Sequence, residues 1–423
     1  MKSLSLLAAT FLLATSVPFT ADAKSPTPAE VRIEQARAAI AANPKNADAH
    51  NALALALTRR GRETSDHEWY EQADAAVQDS LRLAPDNFEA RKIETWVSLG
   101  RHKFSRALEQ ARALNKRMPD DVLVYALLID ACIEMGEYEE AEKAAQWALD
   151  MRPGDIAALT RAAYLREIFG DIQGAIDLMQ SAYAKTAPAE VEDRAWILCQ
   201  FAHLELLRGA PDVAERALTE VRQLFPDYHY ALANLVKVHA ARGHFDEAVA
   251  AARKFCEGAE HSENLFVLGK ALARAGKADE ASQVFAAFEK QAIRVAMAAD
   301  NANRELASYY ADFAARPAEA VRFAALEFGR RQDIFTRHTY AWALSAAGRN
   351  EEASEEMTKV LALGYRDPVA FYHAGVIAKR LGDRAAAEKH FDAALKQAPQ
   401  SEVSVRVASE LDEIRKAGAS AAR

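Results

Sequence analysis

The sequence predicts an all-α protein: a solenoid of about ten helical hairpins, ended by a C-terminal capping helix. A phrase of two amphipathic helices recurs about every 34 residues, and its clearest copies occupy residues 125–153 and 371–399. A glycine recurs at the turn of most phrases, namely Gly136, Gly170, Gly209, Gly243, Gly276, Gly348 and Gly382. Where one glycine is missing, Ala315 stands in its place. A repeat this regular is typical of a solenoid, in which each unit buries its apolar face only against its neighbours.

Length and charge agree with this architecture. A chain of 423 residues exceeds one ordinary compact core, yet no Pro/Gly/Ser-rich linker divides it. A solenoid explains both facts, because its core grows lengthwise. The formal net charge is −8 and there is no basic tract, so we do not expect nucleic acid as a partner.

Residues 1–23 differ in kind from the rest of the chain. Lys2 is followed by an apolar stretch at 4–19 and by Ala21-Asp22-Ala23, a small-x-small site. These features predict a signal peptide that is cleaved after Ala23, and therefore a periplasmic or secreted protein. The apolar stretch is shorter than the ~20 residues of a spanning helix, so we expect no stable membrane insertion.

The remaining chain divides by its pattern into three parts. Residues 24–46 form an N-terminal segment with a helix, 47–400 form the tandem solenoid, and 401–423 form the capping helix and tail. Three places carry more residues than the period requires: 62–73, around 188–190, and 293–303. We expect these insertions to lengthen turns or helices.

One phrase illustrates why each unit should form a hairpin. Apolar residues such as Leu128 and Cys132 recur at helical spacing in the first helix. Gly136 then lets the chain leave that helix with positive φ. The small residue Ala141 keeps the second helix close, and Pro153 ends it. Cys132, Cys199 and Cys256 lie in three different phrases, so we expect them to pack as small apolar residues rather than to form disulfides.

The phrases resemble the tetratricopeptide repeat. The match is close in residues 265–288 (LFVLGKALARAGKADEASQVFAAF), where Leu268-Gly269, Gly276, Ala281 and Phe285 fall in register. The resemblance extends over roughly residues 30–417. The layout of the chain also resembles that of a group of exported bacterial proteins with this repeat. The resemblance implies a right-handed superhelix whose first helices line a concave groove. It also implies a non-catalytic scaffold for protein–protein interaction.

Sequence motifs for catalysis or cofactor binding are missing. There is no G-x-S-x-G, no G-x-x-x-x-G-K-[ST], no G-x-G-x-x-G and no H-E-x-x-H. His67, in the first insertion, has no further ligand nearby in the sequence. We therefore expect no catalytic residues, no metal and no cofactor.

The resemblance also assigns certain first-helix positions to the groove. Those positions hold many aromatic and cationic side chains in the second half of the chain, which suggests a protein or peptide ligand that is acidic or bears a carboxylate. The predicted groove residues are Trp196, His203, Tyr230, Asn234, Lys237, Phe266, Lys270, Arg274, Arg304, His338, Trp342, Tyr372 and Lys379. An exposed ion pair contributes ~0.2–1 kcal/mol and a buried aromatic side chain ~1.5–3 kcal/mol, so the aromatic residues should dominate affinity.

The functional hypothesis is a scaffold or adaptor in the bacterial cell envelope that binds a peptide or protein in its groove. One alternative is a structural or self-associating accessory subunit that uses the convex face or the solenoid ends. A further alternative is an enzyme with unrecognised chemistry in the first insertion, at 62–70. The oligomeric state and the identity of the partner stay open.

Overall fold

A computed structural model describes residues 26–259, 261–398 and 402–421 of the chain. These residues form 22 α-helices, and no strand occurs among them. The predicted signal peptide at 1–23 lies outside the described residues. No helix in the described ranges combines the length and the apolar character that crossing a membrane requires.

The helices of the first half are α1 (Pro28–Ala42), α2 (Ala47–Thr64), α3 (Glu68–Leu83), α4 (Phe88–Gly100), α5 (Phe104–Arg117), α6 (Val122–Met135), α7 (Tyr138–Met151), α8 (Ile156–Ile168), α9 (Ile172–Lys185), α10 (Val191–Leu207) and α11 (Pro211–Leu224). Those of the second half are α12 (His229–Ala241), α13 (Phe245–Gly258), α14 (Ser262–Arg274), α15 (Ala278–Val295), α16 (Asn303–Asp312), α17 (Pro317–Phe328), α18 (Ile334–Ala346), α19 (Asn350–Ala362), α20 (Pro368–Arg380), α21 (Arg384–Gln397) and α22 (Glu402–Ala421).

Consecutive helices pair as hairpins, from α2 with α3 to α20 with α21. The even-numbered helices of neighbouring hairpins also contact one another, as α4 with α6 and α16 with α18 do, and form the inner layer. Helix α1 packs on α2 at one end, while α22 packs on α20 and α21 at the other. The predicted all-α solenoid of helical hairpins is thus confirmed, whereas its handedness stays a prediction.

The turns follow the glycine pattern of the sequence. Every predicted turn glycine has positive φ, for example 76° at Gly136 and 79° at Gly382. Ala315 also holds a φ of 50°, in the left-handed region. An L residue pays about 1–2 kcal/mol for this conformation, so the geometry of the turn is imposed by the packing of the two helices it joins. The prediction that Ala315 replaces a glycine is confirmed.

Small residues set the distance between the helices. The predicted contact residue Ala141 is fully buried, as are Ala145 and Ala148 of the same helix. Between α14 and α17, a larger aromatic cluster containing Phe266, Phe285 and Phe288 fills the core instead. No disulfide joins Cys132, Cys199 and Cys256, as the sequence predicts, and Cys132 and Cys199 are buried while Cys256 is half-buried.

The solenoid coils so tightly that distant repeats touch. The backbone N–H of Ile334 donates to Tyr138 Oη at 2.6 Å, and Arg331 pairs with Glu134 at 2.8 Å. The turn at Gly170 also approaches the turn at Gly364. One hydrophobic cluster accordingly contains residues of α5–α8 together with residues of α18–α20. The expectation that each unit packs only against its neighbours is therefore wrong. We call this contact between successive turns the seam.

All three predicted insertions lie at the seam. Arg32 and Arg59 each donate to Glu190, at 3.3 Å. Arg62 donates to Glu192 at 2.7 Å and to Asp193 at 3.1 Å.

The third insertion meets the first at the same seam. Asp300 contacts two histidines, His67 and His102. His67, expected to be isolated, thus has titratable neighbours that come from other turns. Because such contacts join residues more than 100 positions apart, the sequence period alone does not reveal them.

Candidate partner-binding groove

The inner layer of helices encloses a cavity of about 490 Å³ near the C-terminal end of the solenoid. It lies among α14, α16, α18, α20 and α22, and six of the predicted groove residues line it. We call it the groove pocket. Its lining includes Phe266, Lys270, Arg274, Asp312, Phe313, Phe335, His338, Trp342, Tyr365, Asp367, Tyr372, His373 and Arg406.

A stacked pair of rings forms one wall of the groove pocket. The rings of Trp342 and His373 are 3.7 Å apart between centroids, with only 2° between their planes. Trp342 Nε1 donates a hydrogen bond to Asp312 Oδ1 at 2.7 Å. The guanidinium of Arg380 lies 5.6 Å from the Trp342 ring centre, within range of a cation–π interaction. The indole is therefore fixed in place before any partner arrives.

Two histidines share a hydrogen bond beside this stack. His338 Nε2 and His373 Nδ1 are 2.9 Å apart, so one ring donates and the other accepts. Burial lowers the pKa of His338, and burial together with the neighbouring His338, Arg406 and Arg380 holds the pKa of His373 well below its ordinary value. Both imidazoles are therefore neutral at pH 7, and the pocket gains no positive charge from them.

Lysine and arginine supply that charge. Lys270 Nζ lies 5.1 Å from the Phe266 ring centre, and Arg274 lies one helical turn further along α14. The same two cations and Lys237 line an adjoining cavity of about 110 Å³. Lys237 is reached by solvent, yet the protein around it lowers its pKa because burial disfavours the ammonium, against the opposing pull of Glu167 and Asp367. Three predicted cations thus share one stretch of the groove wall.

The predicted residues of the earlier repeats lie elsewhere. Trp196 lines a separate cavity of about 150 Å³ together with Trp96 and Arg62. His203 Nε2 contacts Glu167 at 3.0 Å, and the ring of Tyr230 lies 4.0 Å from that of His229. The structure does not bring these three residues into the groove pocket.

Some predicted groove residues already have partners within the chain. Asn234 is buried, and its amide donates to the Tyr230 carbonyl at 3.0 Å. Arg304 pairs with Asp333 at 3.8 Å. Lys379 pairs with Glu410 at 2.7 Å and with Glu413 at 2.5 Å, both on the capping helix. These side chains hold the solenoid together, and a role in binding a partner stays a prediction for each.

The pocket also contains residues outside the predicted set. His373 lies 35 positions after His338, one repeat later, and this equal offset was the available signal. Asp312 ends the shortened helix α16. Arg406 belongs to the capping helix, outside the repeat, so no periodic signal points to it.

No group of three or more His, Cys, Asp or Glu side chains is placed to hold a metal ion within the described ranges. What the groove pocket offers is ring faces, cations and hydrogen-bonding groups.

Comparison with solved structures gives the fold. A human IFIT1 dimer with m7Gppp-AAAA matches with a TM-score of 0.50 and 12% identity over 86% of this chain and 84% of that chain. PilW, described as a widely conserved type IV pilus biogenesis factor, matches with a TM-score of 0.42 and 13% identity over 48% of this chain and 93% of that chain. PilF of Pseudomonas aeruginosa matches with a TM-score of 0.38 and 15% identity over 49% of this chain and 91% of that chain. At 12% identity the likeness to the IFIT1 dimer concerns the fold alone.

Sequence comparison gives the family. No protein of curated function matches the sequence. The family model described as tetratricopeptide repeat matches residues 33–91, 127–190, 199–264 and 340–402, which together make up more than half of the chain. That family consists in general of non-catalytic binding scaffolds, and the helical hairpins and the groove have the architecture expected of one. The chain belongs to the tetratricopeptide-repeat family.

Proposed function

We propose that this protein is an exported adaptor of the bacterial cell envelope, without catalytic activity, that binds a segment of a partner protein in the groove pocket. The observation that carries the proposal is the pocket itself. Four successive inner helices and the capping helix place aromatic rings and cations around one cavity of about 490 Å³. Such a mixture of apolar faces and a few oriented polar groups is typical of a binding site.

The ligand that suits this wall is an acidic peptide segment or one that bears a free carboxylate. The cations are Lys237, Lys270 and Arg274, and they face the groove of a chain whose net charge is −8. An exposed ion pair contributes only ~0.2–1 kcal/mol. Contact with Trp342 and Tyr372 should therefore supply most of the affinity, and the cations should set orientation and preference.

The cellular location rests on residues 1–23. Their positive start, apolar stretch and Ala21-Asp22-Ala23 site support export with removal of the leader. Mass spectrometry of the protein purified from fractionated cells is the direct test. A mature N-terminus at Lys24 in the periplasmic fraction would support the proposal, whereas an intact Met1 in the cytoplasmic fraction would contradict it.

Peptide binding tests the groove. Fluorescence anisotropy would measure fluorescein-labelled peptide pools of equal length that carry aromatic residues and are acidic, neutral or basic. The protein is compared with a triple charge reversal, Lys237→Glu, Lys270→Glu and Arg274→Glu. We expect the acidic pool to bind the unaltered protein. It should bind the triple variant with about tenfold lower affinity, which corresponds to about 1.4 kcal/mol.

A matched control separates the groove from the rest of the surface. Lys290, Lys389 and Lys396 are exposed lysines on the outer helices α15 and α21, so their reversal to Glu changes the net charge by a similar amount. This control should bind as the unaltered protein does. If both triple variants lose the same affinity for the acidic pool, the effect is due to overall charge. If the groove variant keeps its affinity, the groove pocket is not the binding site.

Further outcomes address the alternatives. A short single-stranded RNA that binds as tightly as the acidic pool would contradict an acidic peptide as the specific ligand, because RNA phosphates bind to the same cations. Self-association that increases with protein concentration and is unchanged in the groove triple variant would favour the structural accessory subunit instead.

A further inference from the structure

The seam contains a cluster of histidines around one carboxylate. His67 Nδ1 lies 2.9 Å from Asp300 Oδ2, and His102 Nδ1 lies 3.1 Å from Asp300 Oδ1. His67 precedes α3, His102 lies between α4 and α5, and Asp300 lies between α15 and α16. The carboxylate of one turn of the superhelix is therefore held by two imidazoles of another turn.

Backbone strain accompanies this arrangement. His102 has a φ of 53°, and Ser65, two residues before His67, has a φ of 60°. Left-handed conformations cost residues other than glycine about 1–2 kcal/mol, so something must hold these two turns in place. Backbone hydrogen bonds close both turns, from Ser65 N–H to the Gly61 carbonyl and from Lys103 N–H to the Ser98 carbonyl, and the contacts of His67 and His102 with Asp300 add to them.

Several other charged groups face the cluster. The ring of His261 lies 4.5 Å from that of His67, and Asp66 and Glu263 act on His67 through their charges. Arg304 and Glu305, at the start of α16, act on Glu263, as do Asp300 and His102. The charge of His102 also acts on Glu134 of α6. The cluster is thus surrounded by charged groups from several elements and is not one isolated ion pair.

We propose that His67, His102 and Asp300 form a proton-dependent latch, which holds two turns of the superhelix together in mild acid and loosens above neutral pH. This inference rests on the seam and does not depend on the ligand of the groove pocket. Loosening would let the two turns separate and would increase the length of the solenoid.

The direction of the pH effect follows from His67. Burial alone would lower its pKa, but the hydrogen bond from His67 to Asp300 and the charges of Asp300, Glu263 and Asp66 raise it above the ordinary value. A histidine whose pKa is raised by a contact contributes its full stabilisation below its free value of about 6.5, and that contribution disappears as pH rises through the raised value.

Asp300 sets the acid limit. Burial alone would raise its pKa, but the hydrogen bonds from His102 and His67 hold it well below its ordinary value. Its contribution is present above the free value of about 3.9 and is lost as pH falls through the depressed one. The two groups together make the latch strongest between about pH 4 and about pH 6.5.

Two neighbours modify this window. Solvent reaches Glu263, yet the protein around it and the charge of Glu305 raise its pKa to about 7, so its protonation below neutral pH removes a negative charge beside Glu305 and favours the closed seam. Burial and the charge of His67 lower the pKa of His261. Protonation of His261 therefore opposes the latch at the acid end of the window.

The test measures seam opening as a function of pH. Hydrogen exchange of the mature chain, corrected for intrinsic rates, is recorded at about pH 5.5 and about pH 8, on either side of the histidine value of about 6.5. Small-angle X-ray scattering of the same samples gives the radius of gyration. We expect amides at 61–70 and 296–303 to lose protection by about threefold or more at the higher pH, since one pKa unit corresponds to about tenfold in an equilibrium. The radius of gyration should rise with it.

Substitutions identify the groups. His67→Asn with His102→Asn keeps an amide donor near each Nδ1 position but cannot titrate, and Asn tolerates the left-handed backbone at position 102. This double variant should lose most of the pH response and keep only the part that Glu263 contributes, and Asp300→Asn should be more open than the unaltered protein at the lower pH. The control is His244→Asn with Asp392→Asn, both exposed on other surfaces, which should respond as the unaltered protein does.

The outcomes separate cleanly. Equal protection of the unaltered protein at both pH values would overturn the proposal, and so would a full pH response in the His67 and His102 double variant. If Asp300→Asn fails to fold, as judged by circular dichroism, the double variant alone decides.

Discussion

Gly375, on the inner helix α20, lies against the ring of Phe391 on α21. A Cβ atom at this position would come within 2.4 Å of that ring, and Phe391 is fully buried. Gly269 repeats the arrangement with Phe285 in another hairpin, at 2.5 Å. The glycine of the repeat is thus a steric requirement: it lets the large side chain of the second helix fill the space between the two helices.

This contact makes a prediction for Gly375→Ala. Overpacking a core costs about 1–3 kcal/mol, which exceeds the roughly 0.5–1 kcal/mol gained by replacing glycine within a helix. We expect a lower urea midpoint and faster hydrogen exchange in α20 and α21, measured together because a solenoid does not unfold as one unit.

Gly258→Ala is the matched control. Gly258 is the last residue of a helix, α13, and a Cβ atom added there would meet no atom within 4 Å apart from the adjacent backbone. Its substitution should be neutral or slightly stabilising. Equal destabilisation by the two alanines would contradict the steric explanation.

The groove residues show how far sequence reasoning reaches at this scale. Equal offsets in successive repeats place side chains in a row along the inner layer, and Phe266, His338 and Trp342 accordingly meet in one pocket. The period does not reveal which of these side chains already bond to other groups of the chain. Asn234 bonds to its own helix and Lys379 to the capping helix, because each interaction depends on atoms that the repeat pattern does not describe.

At the scale of the element, α22 covers the apolar surface of the last hairpin, which is α20 with α21. Val407, Leu411 and Ile414 face the core and pack with Phe391 and Val376. Val405, two positions before Val407, is 72% exposed. The helix is therefore amphipathic, and one narrow face covers apolar surface that would otherwise meet water.

Aspartate substitutions on the two faces make a matched pair. Val407→Asp places a charge at a fully buried position, where an unpaired carboxylate costs several kcal/mol. We expect α22 to detach, with rapid hydrogen exchange in α20–α22 and self-association on size-exclusion chromatography. Val405→Asp should behave as the unaltered protein does, and a similar effect of both substitutions would show that α22 does not pack as described.

At the scale of the whole molecule, the sequence predicts the hairpins but not the seam. The period, the turn glycines and the alanine positions fix contacts inside each repeat and between neighbours. The pitch of the superhelix depends on a small rotation at each repeat that accumulates along the chain. Whether Tyr138 reaches Ile334 is decided by that accumulated rotation, so the long-range contacts need the full structure.

The sequence shows the insertions as departures from the period, but it does not show that they contribute to the seam. Each extends a segment beyond the regular hairpin, and each supplies charged or titratable groups to the seam, as Arg62, Glu190 and Asp300 do. Residues that break the repeat therefore help to join its successive turns, beside residues of the regular repeat such as Tyr138 and Ile334.

Arg62 is the place to test whether the seam holds the superhelix closed. Its guanidinium donates to both oxygens of Glu192, at 3.2 and 2.7 Å, and Tyr228 Oη donates to the same carboxylate at 2.5 Å. Glu192 is buried, so Arg62→Ala leaves an uncompensated charge there. Breaking a buried pair in this way costs about 3–5 kcal/mol. We expect a lower urea midpoint and a larger radius of gyration by small-angle X-ray scattering.

Arg112→Ala is the control for this experiment. Arg112 also bridges two carboxylates, those of Glu137 and Glu140, but all three side chains are exposed and they join neighbouring hairpins. Its loss should cost about 0.2–1 kcal/mol and leave the radius of gyration unchanged. Adding Glu192→Gln to Arg62→Ala should recover part of the stability, because the buried charge is then removed. If Arg62→Ala and Arg112→Ala change stability and size equally, the seam is no more than a weak surface contact, and the superhelix is held closed by the stacking of its repeats alone.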